Sequence, residues 1–138
     1  LSIGEKHPEI DIGNGITVHS TGKMTLSDYA AQLSESSVGV SLMVSPHPSY
    51  PPLEMAHFGM MVITNRFGNK DLSEWHDNII SIDELTPINI AEQLRELCET
   101  YEQNRFEGLN GQSRMDNYLL EGDLFPFVEE LLKKCVQD

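Results

Sequence analysis

The sequence predicts an α/β fold in which helices cover both faces of a parallel sheet. Short apolar runs alternate along the chain with segments whose apolar residues recur at helical spacing, and short connections join them. One run, residues 38–44, is apolar at almost every position, which is typical of a central parallel strand. With 138 residues, the chain is expected to form a single domain over residues 1–138.

Five short apolar runs are predicted to be strands: residues 1–4, 16–19, 38–44, 60–64 and 79–82. The polar connection after the first of them closes on Asn14 and Gly15, a pair that favours a turn. Residues 20–24, after the second run, are polar and are expected to form another tight turn. Because the chain begins inside a strand, we expect it to be an excerpt of something longer.

The starts of two helices are predicted by their capping residues. Thr25, with Asp28 three residues later, has the pattern of a capping box and predicts a helix over about residues 26–36. Thr86 caps a second helix, which has Pro87 at its first position. The buried stripe of this second helix is expected to consist of Ile90, Leu94, Leu97 and Tyr101.

Residues 65–78 are polar, and one turn of helix is expected around residues 72–75. This stretch carries Arg66 and Lys70 soon after a predicted strand. A surface loop is the favoured interpretation of these two side chains, and contact with a ligand is the alternative.

Residues 102–138 are expected to form a C-terminal helical extension of the domain. After a loop-like start, a short helix capped by Ser113 and Asp116 is predicted, and a last helix is predicted from Asp123. Cys98 and Cys135 both fall at apolar positions of predicted helices. We therefore expect two buried, reduced thiols of a cytosolic protein, with a disulfide as the alternative.

The composition argues against several classes of protein. The net charge of −13 comes from 22 acidic and 9 basic residues without a basic cluster, so no nucleic-acid partner is expected. No apolar run approaches the length of about 20 residues that spans a bilayer, and no signal peptide opens the chain. A cytoplasmic location without a transmembrane segment is expected. The five histidines lack metal-ligand spacing, so neither a metal nor a cofactor is expected.

The most informative segment is residues 45–59, which reads Ser-Pro-His-Pro-Ser-Tyr-Pro-Pro-Leu-Glu-Met-Ala-His-Phe-Gly. It leaves a predicted strand as a proline-stiffened loop and is expected to deliver Glu54 into the first turn of a short helix that Gly59 ends. In an open α/β sheet, ligands bind outside the carboxyl ends of the strands. The start of a helix also supplies unpaired N–H groups and a positive dipole end, which suit a phosphate.

Five side chains are candidates for a ligand site, and each has an alternative interpretation. Glu54 could accept both hydrogen bonds of a ribose diol, or could merely stabilise its helix by up to about 1 kcal/mol. Tyr50, expected on the loop, could face a ligand or pack on prolines. His47 and Ser49 could contact phosphate or sugar, or only water. Lys23, expected at the same rim of the sheet, could neutralise a diphosphate, or could be an ordinary surface lysine.

Residues 38–65 resemble the donor-binding half of family-four glycosyltransferases of the GT-B architecture. Those enzymes carry a strand, a Pro-Ser loop, then Leu-Glu-Ala-Met-Ala, a glycine and Pro-Val-Val, where this chain has Ser-Pro, Leu-Glu-Met-Ala, Gly and Val-Ile-Thr-Asn. Residues 3–5 and 18–24 match the preceding strands and turn, so the resemblance covers about residues 1–100. The sequence of residues 45–59 is similar to that of bacterial rhamnosyltransferases that build S-layer or rhamnan-type surface glycans from dTDP-L-rhamnose.

The resemblance implies a Rossmann-like domain, the C-terminal half of a GT-B glycosyltransferase without its first strand. Glu54 would bind the ribose hydroxyls, and Tyr50 with the backbone of residues 47–50 would face the diphosphate and sugar. These residues include His47, Pro48 and Ser49. Lys23 would meet the phosphates, and the main chain near Met24 would meet the base.

The resemblance also implies a metal-independent sugar transfer to a growing surface polysaccharide. L-rhamnose from dTDP-L-rhamnose is the expected donor, with a UDP- or GDP-sugar as the alternative. The acceptor glycan would bind a separate N-terminal domain, through which the enzyme could sit at the membrane. Many family members have a second glutamate where this chain has Pro46, so no catalytic residue is assigned and the chain alone is expected to be inactive. The rival interpretation is a non-catalytic α/β module that binds a nucleotide or a protein.

Overall fold

The computed structural model of the chain describes residues 1–45 and 49–114. The chain divides into two compact units, the first spanning Leu1–Ser37 and the second beginning at Val38. Both units combine parallel strands with helices, so the predicted α/β class is confirmed. The single domain expected over residues 1–138 stays a prediction.

The first unit contains a short parallel pair of strands, β1 (Ser2–Ile3) and β4 (Ser20–Gly22). The Ser2 N–H donates to His19 O at 2.8 Å, and the Thr21 hydroxyl donates to Ser2 O at 3.1 Å. The predicted turn over residues 20–24 is therefore wrong for its first three residues. Backbone pairing does not require apolar side chains, and the partner strand β1 lies about 18 residues away in the sequence. A local sequence pattern therefore could not reveal β4.

An antiparallel hairpin lies between these strands in the sequence. It consists of β2 (Ile10–Asp11), which was not predicted, and β3 (Thr17–Val18), which lies within the predicted strand over residues 16–19. Gly13, Asn14 and Gly15 in its connection all have positive φ. Glycine and asparagine adopt this conformation at low cost, so the predicted turn signal at the last two residues is confirmed.

The helix α1 (Leu26–Ser34) completes the first unit and begins as the sequence predicts. The Thr25 hydroxyl accepts the Asp28 N–H at 3.2 Å and donates to the Asp28 carboxylate at 2.7 Å, which confirms Thr25 as the N-cap with Asp28 as its partner. Leu33 is buried, and Glu35 forms the C-cap. The helix therefore ends two residues before the predicted limit.

The second unit is built on a three-stranded parallel sheet, in the order β5 (Val38–Val40), β6 (Met61–Asn65) and β7 (Ile79–Ile82). In its register, Gly39 lies opposite Val62, and Val62 opposite Ile79. All five residues of β6 are buried, as is typical of a central parallel strand. The strand β5 is shorter than the predicted residues 38–44.

Two helices cover opposite faces of this sheet: α2 (Tyr50–His57) and α3 (Pro87–Gln103). On one face, Met61 and Ile63 pack in a core with Leu97 of α3. The intervening strand positions face the other way, where a Cβ on Gly39 would lie 2.7 Å from Met55 Sδ of α2. The predicted arrangement of helices on both faces is confirmed.

The helix α3 begins and packs as predicted. The Thr86 hydroxyl accepts the Asn89 N–H at 3.2 Å, with Pro87 at the first helical position. The four predicted stripe residues all belong to the core: Ile90, Leu94, Leu97 and Tyr101. Cys98 is a free, exposed thiol, so the prediction that it is buried is wrong. It lies four residues after Leu94, at the border of the buried stripe, and its side chain is on the exposed side of that border.

Short helical turns complete the second unit. A 3₁₀ turn spans Leu72–Glu74, as expected, and α4 (Glu107–Asn110) replaces part of the loop predicted after residue 102. Ser113, a predicted cap of the short C-terminal helix, forms an isolated β-bridge with His76, and the rest of that helix lies outside the described residues. The helix predicted from Asp123 and Cys135 also lie outside them. Within the part of the chain that the structure describes, no helix is both long and apolar enough to cross a membrane.

Candidate functional site

The helix α2 begins one turn earlier than the sequence suggested. Ser49 is its N-cap, Tyr50 its first residue, and Pro51 and Pro52 lie in its first turn. Glu54 is the fifth residue, so the predictions that Glu54 enters the first turn and that Tyr50 lies on the loop are wrong. Proline fixes φ near the helical value and is favoured at the start of a helix, so the two prolines start the helix instead of delaying it. Gly59, with a φ of 83°, follows the C-cap and ends the helix as predicted.

This earlier start places Tyr50 and Glu54 on one exposed face of α2. Residues four apart on a helix are neighbours, with Cβ atoms about 5–6 Å apart. Tyr50 is 67% exposed and Glu54 is also exposed, whereas Pro52 and Ala56 are buried against the rest of the unit. An aromatic ring with a hydroxyl and a carboxylate therefore share a solvent-facing surface, on the helix that follows the carboxyl end of β5.

The amino end of α2 is a weaker anion site than the sequence suggested. Pro51 and Pro52 carry no N–H, so two of the first four donors of the helix are missing. Ser49 makes no side-chain capping bond within the described residues. A phosphate here would depend mainly on side chains, since only part of the usual amide cradle remains.

A buried amide, Asn65, fixes the start of the segment that leads from β5 to α2. Asn65 is 5% exposed, its Oδ1 accepts the Met43 N–H at 2.6 Å, and its Nδ2 donates to Met43 O at 2.9 Å and to Arg66 O at 3.0 Å. Asn65 is not among the site residues that the sequence predicts. A polar side chain at the end of an otherwise apolar strand was the available signal.

The two cations of the loop after β6 differ in their contacts. Arg66 Nε donates to Asp71 at 2.7 Å, and its NH1 donates to Asp83 at 3.0 Å. Burial opposes the shift, but hydrogen bonds from Ser73 and Ser81 and from Arg66 outweigh it and hold the pKa of Asp71 below its ordinary value. Lys70 Nζ lies 2.9 Å from Met43 Sδ, and burial lowers the pKa of Lys70.

Two clefts of about 240 and 220 Å³ lie at the amino ends of β6 and β7. The helix α2 begins at the opposite, carboxyl-terminal end of the strands. Asn78 Nδ2 closes this edge by donating to Ala56 O at 3.2 Å and to Gly108 O at 2.7 Å. Arg114 donates to the carbonyls of Ser73 and Glu74 and to the Asp77 carboxylate. These bonds hold chain segments together, so we assign this edge to stability.

The sequence matches the family model described as WsaF, C-terminal domain, over residues 1–95. The chain belongs to this family. The WsaF C-terminal domain is glycosyltransferase-associated, and the α/β fold is consistent with a Rossmann-like C-terminal glycosyltransferase domain. The predicted link to glycosyltransferases is thereby confirmed, while the donor sugar and the family-four assignment stay predictions. No curated protein matches the chain.

The remaining predicted site residues of this WsaF C-terminal domain lie in separate parts of the chain. Lys23 is exposed and directly follows β4, and Met24 is half-buried; both belong to the first unit. His47 and Pro48, with neighbouring Pro46, lie outside the described residues. Among the described residues, no group of three or more His, Cys, Asp and Glu side chains is placed to hold a metal ion.

Proposed function

We propose that this chain is the donor-binding half of a metal-independent GT-B glycosyltransferase that transfers L-rhamnose from dTDP-L-rhamnose to a growing surface polysaccharide. The observation that carries the proposal is the match to the WsaF C-terminal domain over residues 1–95. The exposed pair of Tyr50 and Glu54 supports it, because α2 follows the carboxyl end of a parallel strand, where open α/β sheets bind their ligands.

Each side chain of the proposed site contributes a different contact. The Glu54 carboxylate accepts hydrogen bonds from both hydroxyls of a ribose. In a dTDP donor, it accepts a hydrogen bond from the single hydroxyl of the deoxyribose. The Tyr50 ring and hydroxyl face the diphosphate and sugar, together with Ser49 and the main chain of His47 and Pro48. Lys23 meets the phosphates, and the main chain near Met24 meets the base.

The chemical task of this half is to stabilise the departing nucleoside diphosphate. Negative charge grows on the diphosphate as the sugar leaves, and positive groups aimed at it lower the barrier. Because Pro51 and Pro52 remove two amide donors, lysine side chains carry more of this task than in a helix with a complete first turn. The acceptor glycan and the catalytic base belong to another part of the enzyme, so this chain alone transfers no sugar. The enzyme works on the cytoplasmic side of the membrane, as a peripheral protein.

Titration of dTDP, UDP and GDP into the full natural polypeptide tests the proposal by calorimetry. We expect dTDP to bind most tightly, and Glu54→Ala and Tyr50→Phe each to weaken binding by about tenfold, the effect of losing one hydrogen bond to a charged or polar group. Glu92→Ala is the matched control, since it removes an exposed acid from α3 and changes the net charge equally.

Three results would contradict the proposed function. Unchanged dTDP affinity in both site variants would show that α2 does not contribute to nucleotide binding. An equal loss in the Glu92 variant would make the effect one of net charge. Absence of binding by all three nucleotides would favour the non-catalytic protein-binding module instead.

A further inference from the structure

Two lysines follow the paired parallel strands of the first unit. The strands β1 and β4 run in the same direction, so their carboxyl ends lie side by side, and open α/β sheets bind ligands at such ends. Lys23 directly follows Gly22, the last residue of β4. Lys6 lies three residues after Ile3, the last residue of β1. Each lysine therefore follows the carboxyl end of one strand of the same pair.

Contacts with β4 fix the position of Lys6. Two residues before it, the Gly4 N–H donates to Gly22 O at 3.1 Å. One residue after it, the His7 N–H donates to Ser20 Oγ at 3.1 Å. Gly22 is buried, and a Cβ built on it would lie 3.6 Å from Lys6 Cβ and 4.0 Å from its Cγ and Cδ. The apolar stem of Lys6 thus packs over the last residue of β4, which leaves its ammonium group in water.

The charges of the first unit set these two lysines apart. Lys6 and Lys23 are the only lysine or arginine residues among residues 1–37, which carry five acids. Both side chains are exposed, and in the part of the chain that the structure describes neither is in an ion pair, whereas Glu9 pairs with His19 at 2.6 Å. Like charges on one pair of strand ends repel each other, and an anion in contact with both ammonium groups would replace that repulsion by attraction.

The structure assigns Lys6 to the phosphate-binding part of the site: together with Lys23 it holds the diphosphate of the nucleotide sugar. This inference rests on the proposed function, in which Lys23 already meets the phosphates. A diphosphate spreads its charge over several oxygens and accepts hydrogen bonds from two ammonium groups at once. Because the backbone and stem of Lys6 are already held against β4, this side chain loses less freedom when the diphosphate binds.

The central variant is Lys6→Met, which removes the ammonium group and keeps an unbranched apolar stem to pack over Gly22. Calorimetry on the full natural polypeptide gives its affinity for dTDP, and an NMR titration gives its affinity for thymidine, which has no phosphate. We expect about tenfold weaker binding of dTDP, the effect of losing one hydrogen bond to a charged group, and unchanged binding of thymidine. Added salt should also weaken dTDP binding less than in the wild type, because one attraction that salt screens is gone.

Two controls separate a phosphate contact from net charge and from packing. Arg105→Gln removes an exposed cation between α3 and α4, changes the net charge equally and should leave both affinities unchanged. Lys6→Arg keeps the positive charge and should keep most of the dTDP affinity. Should Lys6→Met fail to fold, as judged by circular dichroism, Lys6→Gln takes its place in the same comparison.

Wild-type dTDP affinity in the folded Lys6 variant overturns the inference and leaves the proposed function standing, with Lys23 alone meeting the phosphates. An equal loss of dTDP and thymidine affinity also overturns it, because Lys6 would then act through the fold of the first unit. An equal loss in Arg105→Gln would assign the effect to net charge. A wild-type protein that binds neither dTDP nor thymidine overturns the proposed function and the inference with it.

Discussion

At the scale of single residues, two buried polar side chains at opposite ends of the sheet have different tasks. Asn65, at the carboxyl end of β6, pairs with both backbone groups of Met43 and donates a further hydrogen bond to Arg66 O. His76, 5% exposed, lies just before β7, and its Nδ1 accepts the Asn78 N–H at 3.1 Å. That bond requires a neutral imidazole with its proton on Nε2, because a protonated Nδ1 could not accept.

We predict that His76 makes the stability of the protein depend on pH in the mildly acidic range. Burial lowers the pKa of His76 below its ordinary value of 6.5, with Arg114 and His57 acting in the same direction and Asp77 opposing them. The unfolded chain therefore binds more protons than the folded one between the two pKa values. The free energy of unfolding is largest above pH 6.5, falls as the pH drops through this window, and levels off below the folded pKa.

Urea denaturation between pH 5 and 7.5, a range chosen around the ordinary histidine pKa of about 6.5, measures this dependence. A His76→Gln variant should show a flatter profile in the same range, because glutamine does not titrate. Asp71 and Asp77 contribute at lower pH, since the ordinary pKa of aspartate is 3.8 and both are shifted below it. An equally steep profile in the variant would assign the effect to other groups.

At the scale of secondary-structure elements, the docking of α4 depends on glycine. A Cβ on Gly108 would overlap the backbone carbonyl of Gly59, a group that cannot turn aside as a flexible side chain can. The Gly108 carbonyl in turn accepts from Asn78 Nδ2 at 2.7 Å. The close approach and the hydrogen bond fix α4 against the end of α2 and the start of β7.

We predict that Gly108→Ala lowers the free energy of unfolding by about 1–3 kcal/mol, the usual cost of forcing an extra group into a packed site. Chemical denaturation followed by circular dichroism gives the value. Gln112→Ala, an exposed position four residues on, is the control and should stay within about 0.5 kcal/mol of the wild type. A stability loss of equal size in both variants would mean that the tight packing at Gly108 is not the cause.

Elements whose signals are local could be predicted from the sequence, and those that depend on distant partners could not. The starts of α1 and α3 follow from Thr25 and Thr86, whose capping partners lie three residues away. By contrast, β4 exists because it pairs with β1, and the bonds of Asn65 to Met43 span 22 residues. The signal for the start of α2 is also local, because proline favours the first helical turn, but Pro51 and Pro52 equally suit the loop that the sequence predicts there.

At the scale of the whole molecule, the surplus of acidic residues sets the long-range electrostatics. The 138 residues carry a net charge of −13, and like charges repel one another in the compact state. Ion pairs such as Arg66 with Asp71 and Arg95 with Glu99 engage only part of this charge. Under the proposed function the ligand is a nucleoside diphosphate, which is also an anion, so its binding would have to overcome the same repulsion locally; this is the physical reason for the proposed role of Lys23.

We predict that added salt stabilises the protein. Raising sodium chloride from about 0.01 M to about 0.15 M shortens the screening length from about 30 to 8 Å and weakens repulsion between acids. The unfolding temperature, measured by calorimetry, should rise. The double variant Glu92→Gln, Glu102→Gln reduces the net charge from −13 to −11 by removing two exposed acids and should unfold at a higher temperature in low salt, with a smaller response to salt. A falling or constant unfolding temperature would show that repulsion is not a significant term.

The division of α2 into a buried side and an outward side has a consequence for how such domains diverge. Pro52 and Ala56 are packed inside, so their replacement disturbs folding, whereas positions 50 and 54 face water and can change at little thermodynamic cost. Under the proposed function, recognition of a different sugar nucleotide would require only an exchange of outward residues on an unaltered helix. Selection for new chemistry and selection for a folded scaffold would act on separate positions of the same eight-residue element.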